Sequence, residues 1–547
     1  MNMNLFKNEN VIHTLIFSSI VLPPLIFSFE FTSFLYPKEI VLSGLLLLLF
    51  PFFLARTETL VVNLHSLLFL ILILFFCLSI FYAKVPEQTL IRVSELTLFL
   101  VYIIVIDDFC VKSTYKNAMD LGIIISGLGI SLTLIIQKYN IVPVLFPTFP
   151  EYKQLYSVFG NQNLAGSYIA LSMIWLLTRK QEIIRKNLYV VLCSFVLGYG
   201  LFLSNSRSSW IAFLFCFILF IFDMGRDKED KYHLSIGLSL GILLALILAL
   251  PTVIPRITQS FSGSDVGFRT RLWIYDGTIR MFLKNPLLGV GFGNYYYWSP
   301  KYLGDALHSN YGNTHYRNEL LTLHAHNDIL ELLAEGGIII GILILIFYFL
   351  PIILYRKNYV WIVFLITSLF NPIFISGFHI SIALFSLMNH INIGTKSVMN
   401  ILSRYELFLN RKWRYVVVVL GIFIMVFLSY TLWLPDYKLR QAEKQLILHI
   451  DCSSHYQMLV KSRFASYATW EGYAQSLILK KDYENAYHVL KKALEKTDSG
   501  FIYLLLGRCA SELGKKEESI RWYRECLYRF PNNIEAQEGV KVNSDLQ

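Results

Sequence analysis

Stretches of about twenty apolar residues recur along most of this chain, and no other feature constrains its fold as strongly. In hydrocarbon there is no water to satisfy backbone N–H and C=O groups, so a segment must pair them internally, which a helix does on its own. A hydrocarbon core about 30 Å thick takes roughly 20 helical residues to cross. By that measure thirteen spans are predicted, at residues 11–29, 40–55, 64–82, 94–109, 119–137, 163–178, 188–204, 208–223, 233–254, 336–355, 359–376, 378–394 and 414–434. The expected fold class is all-α: a polytopic membrane protein of about 13 transmembrane helices, with a large external loop and a soluble helical-repeat C-terminal domain.

Composition agrees with this. Of 547 residues, 55% are hydrophobic and only 16% charged, and the mean hydropathy of +0.52 exceeds that of soluble domains. The formal charge of +10 does not point to nucleic acid, because Lys and Arg lie in short clusters between apolar runs rather than in a basic stripe. The seven cysteines are scattered and form no CxxC, which indicates neither a disulfide framework nor a zinc site. Lys7 precedes the first apolar run and no small-residue cleavage site follows it, so that run is expected to stay as the first helix.

The cation clusters carry topology. With a cytoplasmic N-terminus, alternate loops hold Arg56, then Lys112 and Lys116, then Arg179, Lys180, Arg185 and Lys186, then Arg226, Lys228 and Lys231. The series continues with Arg356 and Lys357, then Lys396, Arg404, Arg411, Lys412 and Arg414. The short loops on the other side hold few cations, Lys38, Lys84 and Lys138 among them, which is the asymmetry of the positive-inside rule. The loop of about residues 255–325 and everything after Pro435 then fall outside. Residues 1–435 are expected as the membrane domain and 436–547 as an external helical domain.

In that last segment, LILKKDYENAYHVLKKAL from Leu477 aligns at a 34-residue offset with SELGKKEESIRWYRECLY from Ser511. Leu506, Gly507, Ala510, Leu513, Gly514, Tyr523 and Pro531 resemble the tetratricopeptide repeat pattern. Two repeats make a short stack, so the helices from Tyr437 to Trp470 are expected to complete it. Such a domain either caps the membrane domain or offers a surface to an acceptor or a protein partner.

Four polar clusters interrupt the apolar pattern on the external side. LHAHNDILELLAEGGIIIG, Leu323 to Gly341, places His324, His326, Asp328, Glu331 and Glu335 at the mouth of a span, where titratable groups are costly. Histidines two apart point to different sides of a helix, whereas a helical metal pair needs a spacing of three or four. Asn327 or Asp328 would cap the helix with acids in its first turn, and His326 lies off the stripe of His324, Asp328, Glu331 and Glu335. In LSNSRSSW, Leu203 to Trp210, Arg207 among serines either snorkels to the interface or grips a lipid phosphate with its planar fork. Arg269, Arg271 and Arg280 precede a Pro- and Gly-rich turn whose GVGFG lacks the spacing of a dinucleotide fingerprint. Tyr295, Tyr296, Tyr297 and Trp298 form an interfacial belt or a platform for sugar rings. Asn161, Gln162 and Asn163 cap the helix that follows them or bind sugar hydroxyls.

Taken in order, these elements resemble the O-antigen ligase family, which includes lipopolysaccharide O-antigen ligases, O-linked oligosaccharyltransferases and Wzy-type polymerases. The matching residues are Phe159-Gly160-Asn161-Gln162-Asn163, Ser206-Arg207-Ser208, Arg271 followed by Asn285 to Gly291, and His326-Asn327 followed by Leu330, Glu335, Gly336 and Gly337. The resemblance covers roughly residues 150–345 in detail. Where the family often has tryptophan four residues after the arginine, this chain has Tyr275, with Trp273 nearby.

The resemblance implies metal-independent transfer of a preassembled glycan from undecaprenyl diphosphate to a hydroxyl of a lipid core, a glycan or a protein, with no cofactor. The site would face outward from the bacterial inner (cytoplasmic) membrane. It implies that Arg207 and Arg271 hold the diphosphate, with Arg269 as the substitute for Arg271, that His326 is essential, and that Asn161, Asn163, Asn327 and Glu335 support them. Residue chemistry agrees, since fixed guanidinium forks stabilise charge growing on a leaving phosphate and an imidazole suits the role of base toward a hydroxyl. A Wzy-type polymerase is the alternative on the same residues. A lipid-linked glycan transporter fits less well, because no hydropathy repeat is visible and few ionisable groups lie at mid-span. A membrane scaffold would depend on the C-terminal repeats alone.

Overall fold

The predicted apolar runs overlap helices of the computed structural model, although the run 359–376 is helical only to Ser368; the structure describes residues 8–111, 113–146, 155–183, 187–224, 230–261, 266–316, 322–355, 357–388 and 406–545. The first nine helices are α1 (Glu9–Leu25), α2 (Tyr36–Ala55), α3 (Leu64–Leu78), α4 (Pro86–Cys110), α5 (Ser113–Lys138), α6 (Gln162–Ile183), α7 (Asn187–Leu203), α8 (Arg207–Met224) and α9 (Asp230–Phe261). The expected external loop is itself helical, with α10 (Val266–Lys284), α11 (Tyr295–Leu307) and the single turn α12 (Gly312–His315). Apolar helices then resume as α13 (Asp328–Leu354), α14 (Tyr359–Ser368), α15 (Gly377–Met388) and α16 (Trp413–Leu428). Among the described residues seven helices are long and apolar enough to cross a membrane, and others such as Glu9–Leu25 and Gly377–Leu387 are shorter. Lys112, Arg185, Lys186, Arg226, Lys228, Arg356, Lys396 and Arg404 lie outside the described residues, as do residues 389–394 of the twelfth run.

A helix apolar on every side faces either protein or lipid, and burial tells which. The most apolar window of α4 is 83% buried within the protein, against 28% for that of α9. So α4 is the central post and α9 runs along the outside.

The two ends of the bundle differ. One is tied by a short antiparallel pair, β1 (Leu60–Asn63) and β2 (Glu406–Leu409), with Leu60 opposite Leu409. Beside it Arg414, 1% exposed, donates to Asp108 at 2.7 Å and to the Glu58 carbonyl at 2.6 Å, and Arg56 meets the same carboxylate at 3.1 Å. A guanidinium this deep persists because its charge is matched by a carboxylate and its terminal nitrogens find acceptors.

At the opposite end α13 breaks at Gly337, whose φ of 64° and ψ of −166° are not helical. The turn after α10 inserts into the break. Val290 N donates to Ala334 O at 3.0 Å, Gly291 N to Glu335 O at 2.9 Å, and Ile338 N to Pro286 O at 2.8 Å. A Cβ on Gly337 would lie 2.2 Å from the Leu287 carbonyl oxygen, and one on Gly289 would lie 2.3 Å from the backbone of Glu335. The GVGFG element is therefore a docking turn.

From α16 the chain passes through a π turn, Ser429–Trp433, into α17 (Leu434–Ile447), so the helix continues through Pro435. Proline in the first turn of the new segment is tolerated there. After α18 (Ser453–Leu459), two helix pairs follow, α19 (Tyr467–Leu479) with α20 (Tyr483–Ala493) and α21 (Gly500–Glu512) with α22 (Lys516–Arg529), closed by α23 (Ile534–Asp545). Leu439 and Ala442 of α17 and Tyr456 of α18 pack beside Tyr473 of α19. Polar contacts seat this region on the broken-helix end: Arg463 at 2.7 Å and Lys496 at 3.3 Å from Glu87, Lys444 with Glu30, and Tyr528 with Asp305.

The inserted turn predicts that Gly337→Ala lowers stability by more than about 2 kcal/mol, from left-handed backbone strain plus the clash. Gly44→Ala in α2, where a Cβ meets nothing within 4 Å, should not lower it. Thermal unfolding in detergent compares the two, and equal melting temperatures would refute the insertion.

Candidate functional site

The N-terminus of α8 is the first element. Arg207 begins the helix two residues after Asn205, whose φ of 54° makes the turn. The helix dipole disfavours a cation at this position, so guanidinium and dipole together attract an anion. Serines hold the turn: Ser206 Oγ lies 2.8 Å from Ser209 Oγ, and Ser204 Oγ donates to Leu201 O at 2.6 Å. The turn packs on α6, where a Cβ at Gly166 would come within 2.6 Å of Ser204 Oγ. The fold thus brings two motifs from separate loops into contact. Asn161 caps α6, accepting from Asn163 N at 2.8 Å, and the Asn163 carbonyl accepts from Ser167 Oγ at 2.8 Å.

The loop entering α13 is the second element. Asn327 is its cap, accepting from Leu330 N at 3.0 Å, so both histidines precede the helix. His324 Nδ1 meets Glu331 Oε1 at 2.9 Å. His326 has no part in that pairing. It sits at a φ of 54°, a strained backbone for a residue with a side chain, and its buried Nδ1 has no hydrogen-bond partner among the described residues. Burial, and then the Arg271 guanidinium and His324, push this imidazole from its ordinary 6.5 down to about 4.

The third element is α10. Arg271 and Tyr275 are one turn apart and share a face. Tyr275 Oη donates to His326 O at 3.3 Å and lies 3.5 Å from Leu369 O. Trp273 is buried among the loop helices instead, donating to Leu303 O at 3.0 Å, so Tyr275 forms the wall beside His326. Arg269 is exposed on the same helix, and Arg280 pairs with Asp276 at 2.9 Å.

One turn, Leu369 to Phe374, joins all three. Leu369 O faces Tyr275, Asn371 Nδ2 donates to Ser208 Oγ at 2.8 Å, and Ile373 N and Phe374 N donate to Asp328 Oδ2 at 3.1 and 2.9 Å. Arg207, Arg271 and His326 therefore stand on elements tied through a single segment. Asn371 was not singled out from the sequence, although Asn371-Pro372 inside an apolar run was the available signal. Its Oδ1 is buried without a partner among the described residues, as is that of Asn205.

Glu335 accepts from Tyr295 N at 2.8 Å and so fixes the start of α11 to α13. The aromatic quartet also acts as a joint to the C-terminal helices. Tyr296 stacks on Tyr467 with centroids 5.8 Å apart, and Tyr297 Oη donates to Leu494 O at 3.3 Å.

Residues 190–346, from α7 into α13, match the family described as O-antigen ligase, and residues 502–533 match the tetratricopeptide repeat. No curated protein matches the chain. With the apolar helices, these matches support a multi-pass membrane protein and, in general terms, a membrane glycan ligase or polymerase. The matched stretch contains Arg207, Arg269, Arg271, Asn327, Glu335 and His326, whereas Asn161, Asn163 and Asn371 lie outside it.

His326 should titrate near pH 4 in the folded protein and near 6.5 when unfolded. Between those values the unfolded chain binds more protons, so this group's contribution to stability is complete above about pH 6.5 and is lost on acidification toward pH 4. NMR of labelled histidine, assigned by difference with His326→Asn, measures the midpoint. A midpoint at or above 6.5 would contradict the burial and the Arg271 field.

Proposed function

We propose that the protein transfers a preassembled glycan from undecaprenyl diphosphate to an acceptor hydroxyl at the outer face of the bacterial inner membrane. The observation that carries this reading is the linkage of the starts of α8 and α13 and the Arg271 face of α10 through the Leu369–Phe374 turn.

In this mechanism Arg207, aided by the N-terminus of α8, and Arg271 hold the two phosphates, with Arg269 at the exposed edge. The acceptor hydroxyl attacks the anomeric carbon on the face opposite the diphosphate. Its proton passes to His326, the bond from the anomeric carbon to the phosphate oxygen breaks, and the electron pair leaves with the diphosphate. A single displacement inverts the anomeric centre. The guanidinium forks stabilise charge where it develops, and a neutral imidazole is in the form that accepts a proton. Tyr275 and Asn371 are positioning residues, while Asn161, Asn163, Asn327 and Glu335 hold the helix starts on which the site stands.

The cation-rich end, where β1 meets β2, then faces the cytoplasm, and the C-terminal helices share the outer side with the site. A repeat domain there favours a macromolecular acceptor, a protein or a large glycan, over a lipid core alone, and offers a surface to a protein partner.

His326→Asn tests the reading in cells, because asparagine tolerates a left-handed backbone and should preserve protein level. Transfer should fall at least about 100-fold while lipid-linked donor accumulates. Undiminished transfer would sink the proposal. Arg271→Lys keeps the charge but loses the fork, and should cost about tenfold or more. Long polymer left on the carrier lipid would mark a ligase, and single repeat units a polymerase.

A further inference from the structure

A cavity of about 950 Å³ opens between the broken-helix end of the membrane domain and the C-terminal helices. Arg92 and Glu95 of α4 line it from below, Glu331 and Glu335 from α13, and Tyr467 and Thr469 from α19. That is the upper end of the size range for ligand pockets.

Its lining is rich in carboxyl groups, unlike the surroundings of Arg207 and Arg271. Glu95, Asp328, Glu331, Glu335, Asp436 and Glu443 line it against one guanidinium, Arg92, among the described residues. Several of these acids are fixed by bonds to the protein: Glu95 to Arg92 at 2.9 Å, Glu331 to Ala325 N at 2.7 Å, and Asp436 to Thr32 N at 2.8 Å. A carboxylate has about four acceptor positions, so such groups still accept from hydroxyls or amines of a ligand. Arg92 is already engaged by Glu95, so this lining offers a diphosphate or an anionic head group less than Arg207 and Arg271 do. Tyr296 and Tyr467, stacked with their planes 27° apart, add aromatic surface where the two domains meet. Fixed acceptors beside aromatic rings suit a ligand that has both hydroxyls and C–H faces.

The loop Thr322–Asn327 separates this cavity from the arginine-bearing elements. His324 lines the cavity, while His326 is held beside Tyr275 and feels the Arg271 charge. We infer that the cavity is a glycan subsite, taking a neutral or amine-bearing oligosaccharide without phosphate, and that the C-terminal domain forms one of its walls. Its purpose rests on the transfer reading, but its binding chemistry does not.

Two sources present the same chemistry: the glycan of the lipid-linked donor and a glycan acceptor. Full-length protein in lipid nanodiscs is titrated with three probes. One is the glycan freed from carrier lipid by mild acid and dephosphorylated. Another is the phosphate-free envelope glycan fraction from cells lacking the protein, and the third is sugar-free undecaprenyl diphosphate. Saturation-transfer NMR reads the glycans, and a lipid-exchange assay reads the third probe. Ser462→Trp narrows the cavity and Tyr467→Ala removes the aromatic wall. One of the two glycans should bind, which identifies the source, and should weaken about tenfold or more in both variants at unchanged melting temperature. Sugar-free lipid should bind as before in these variants and weaken in Arg271→Ala. Failure of both glycans to bind, equal binding by the variants, or loss of sugar-free lipid instead would overturn the subsite. Loss of transfer in His326→Asn with glycan binding intact leaves it standing, so the two proposals fail separately.

Discussion

Two backbone carbonyls, those of Ala334 and Glu335, lose their helical partners where α13 breaks at Gly337, and the rest of the site depends on how they are satisfied. A buried acceptor left without a donor costs roughly 1–3 kcal/mol, more than the net gain from an ordinary hydrogen bond. The donors come from Val290 and Gly291, so the break and the turn that fills it form one unit. That unit fixes α10 and α11 against the start of α13, and with them Arg271 and Tyr275 against His326. Glu335 strengthens the joint through its side chain, which accepts from Tyr295 N. Glu335 was expected as a supporting residue, and its carboxyl joins α13 to the start of α11.

The Leu369–Phe374 turn plays the corresponding part on the other side. Its short flanking helices, α14 and α15, leave backbone N–H groups free to reach Asp328, and the Asn371 amide reaches Ser208. Buried polar networks of this kind fix one geometry when satisfied and are costly when half-made. The Oδ1 atoms of Asn371 and Asn205 are buried without a partner among the described residues. Polar groups on a buried surface retain unmet capacity most readily where a polar ligand completes them.

The helices were legible in the sequence because their cause is local. A long apolar run must pair its own backbone whatever lies around it, and Asn161 and Asn327 cap α6 and α13 by reaching only two or three residues along the chain. The spacing of His324 and His326 was weighed as if on a helix, but both precede α13, and the positive φ that parts them left no trace in composition. The contacts that build the site were not legible. Thr89 bonds the Phe292 carbonyl, Val85 N bonds Asn294, and Asn371 bonds Ser208, each across more than 150 residues. Such pairings have no periodicity, so Asn371 passed unmarked inside an apolar run and the joint made by the aromatic quartet was not foreseen.

The resulting division of charge bears on how a base at His326 would work. Arginines stand on one side of the Thr322–Asn327 loop and carboxylates on the other, and the imidazole is held down first by burial and then by Arg271. Burial persists whatever binds, but the Arg271 contribution does not. A diphosphate seated against that guanidinium, as the proposed function requires, would cancel its charge as felt by the ring and raise the affinity of His326 for a proton. The base would strengthen when the donor is in place and stay weak when it is absent. A site arranged in this way couples proton acceptance to donor occupancy without moving a helix, because the same arginine that holds the leaving group also sets the strength of the base.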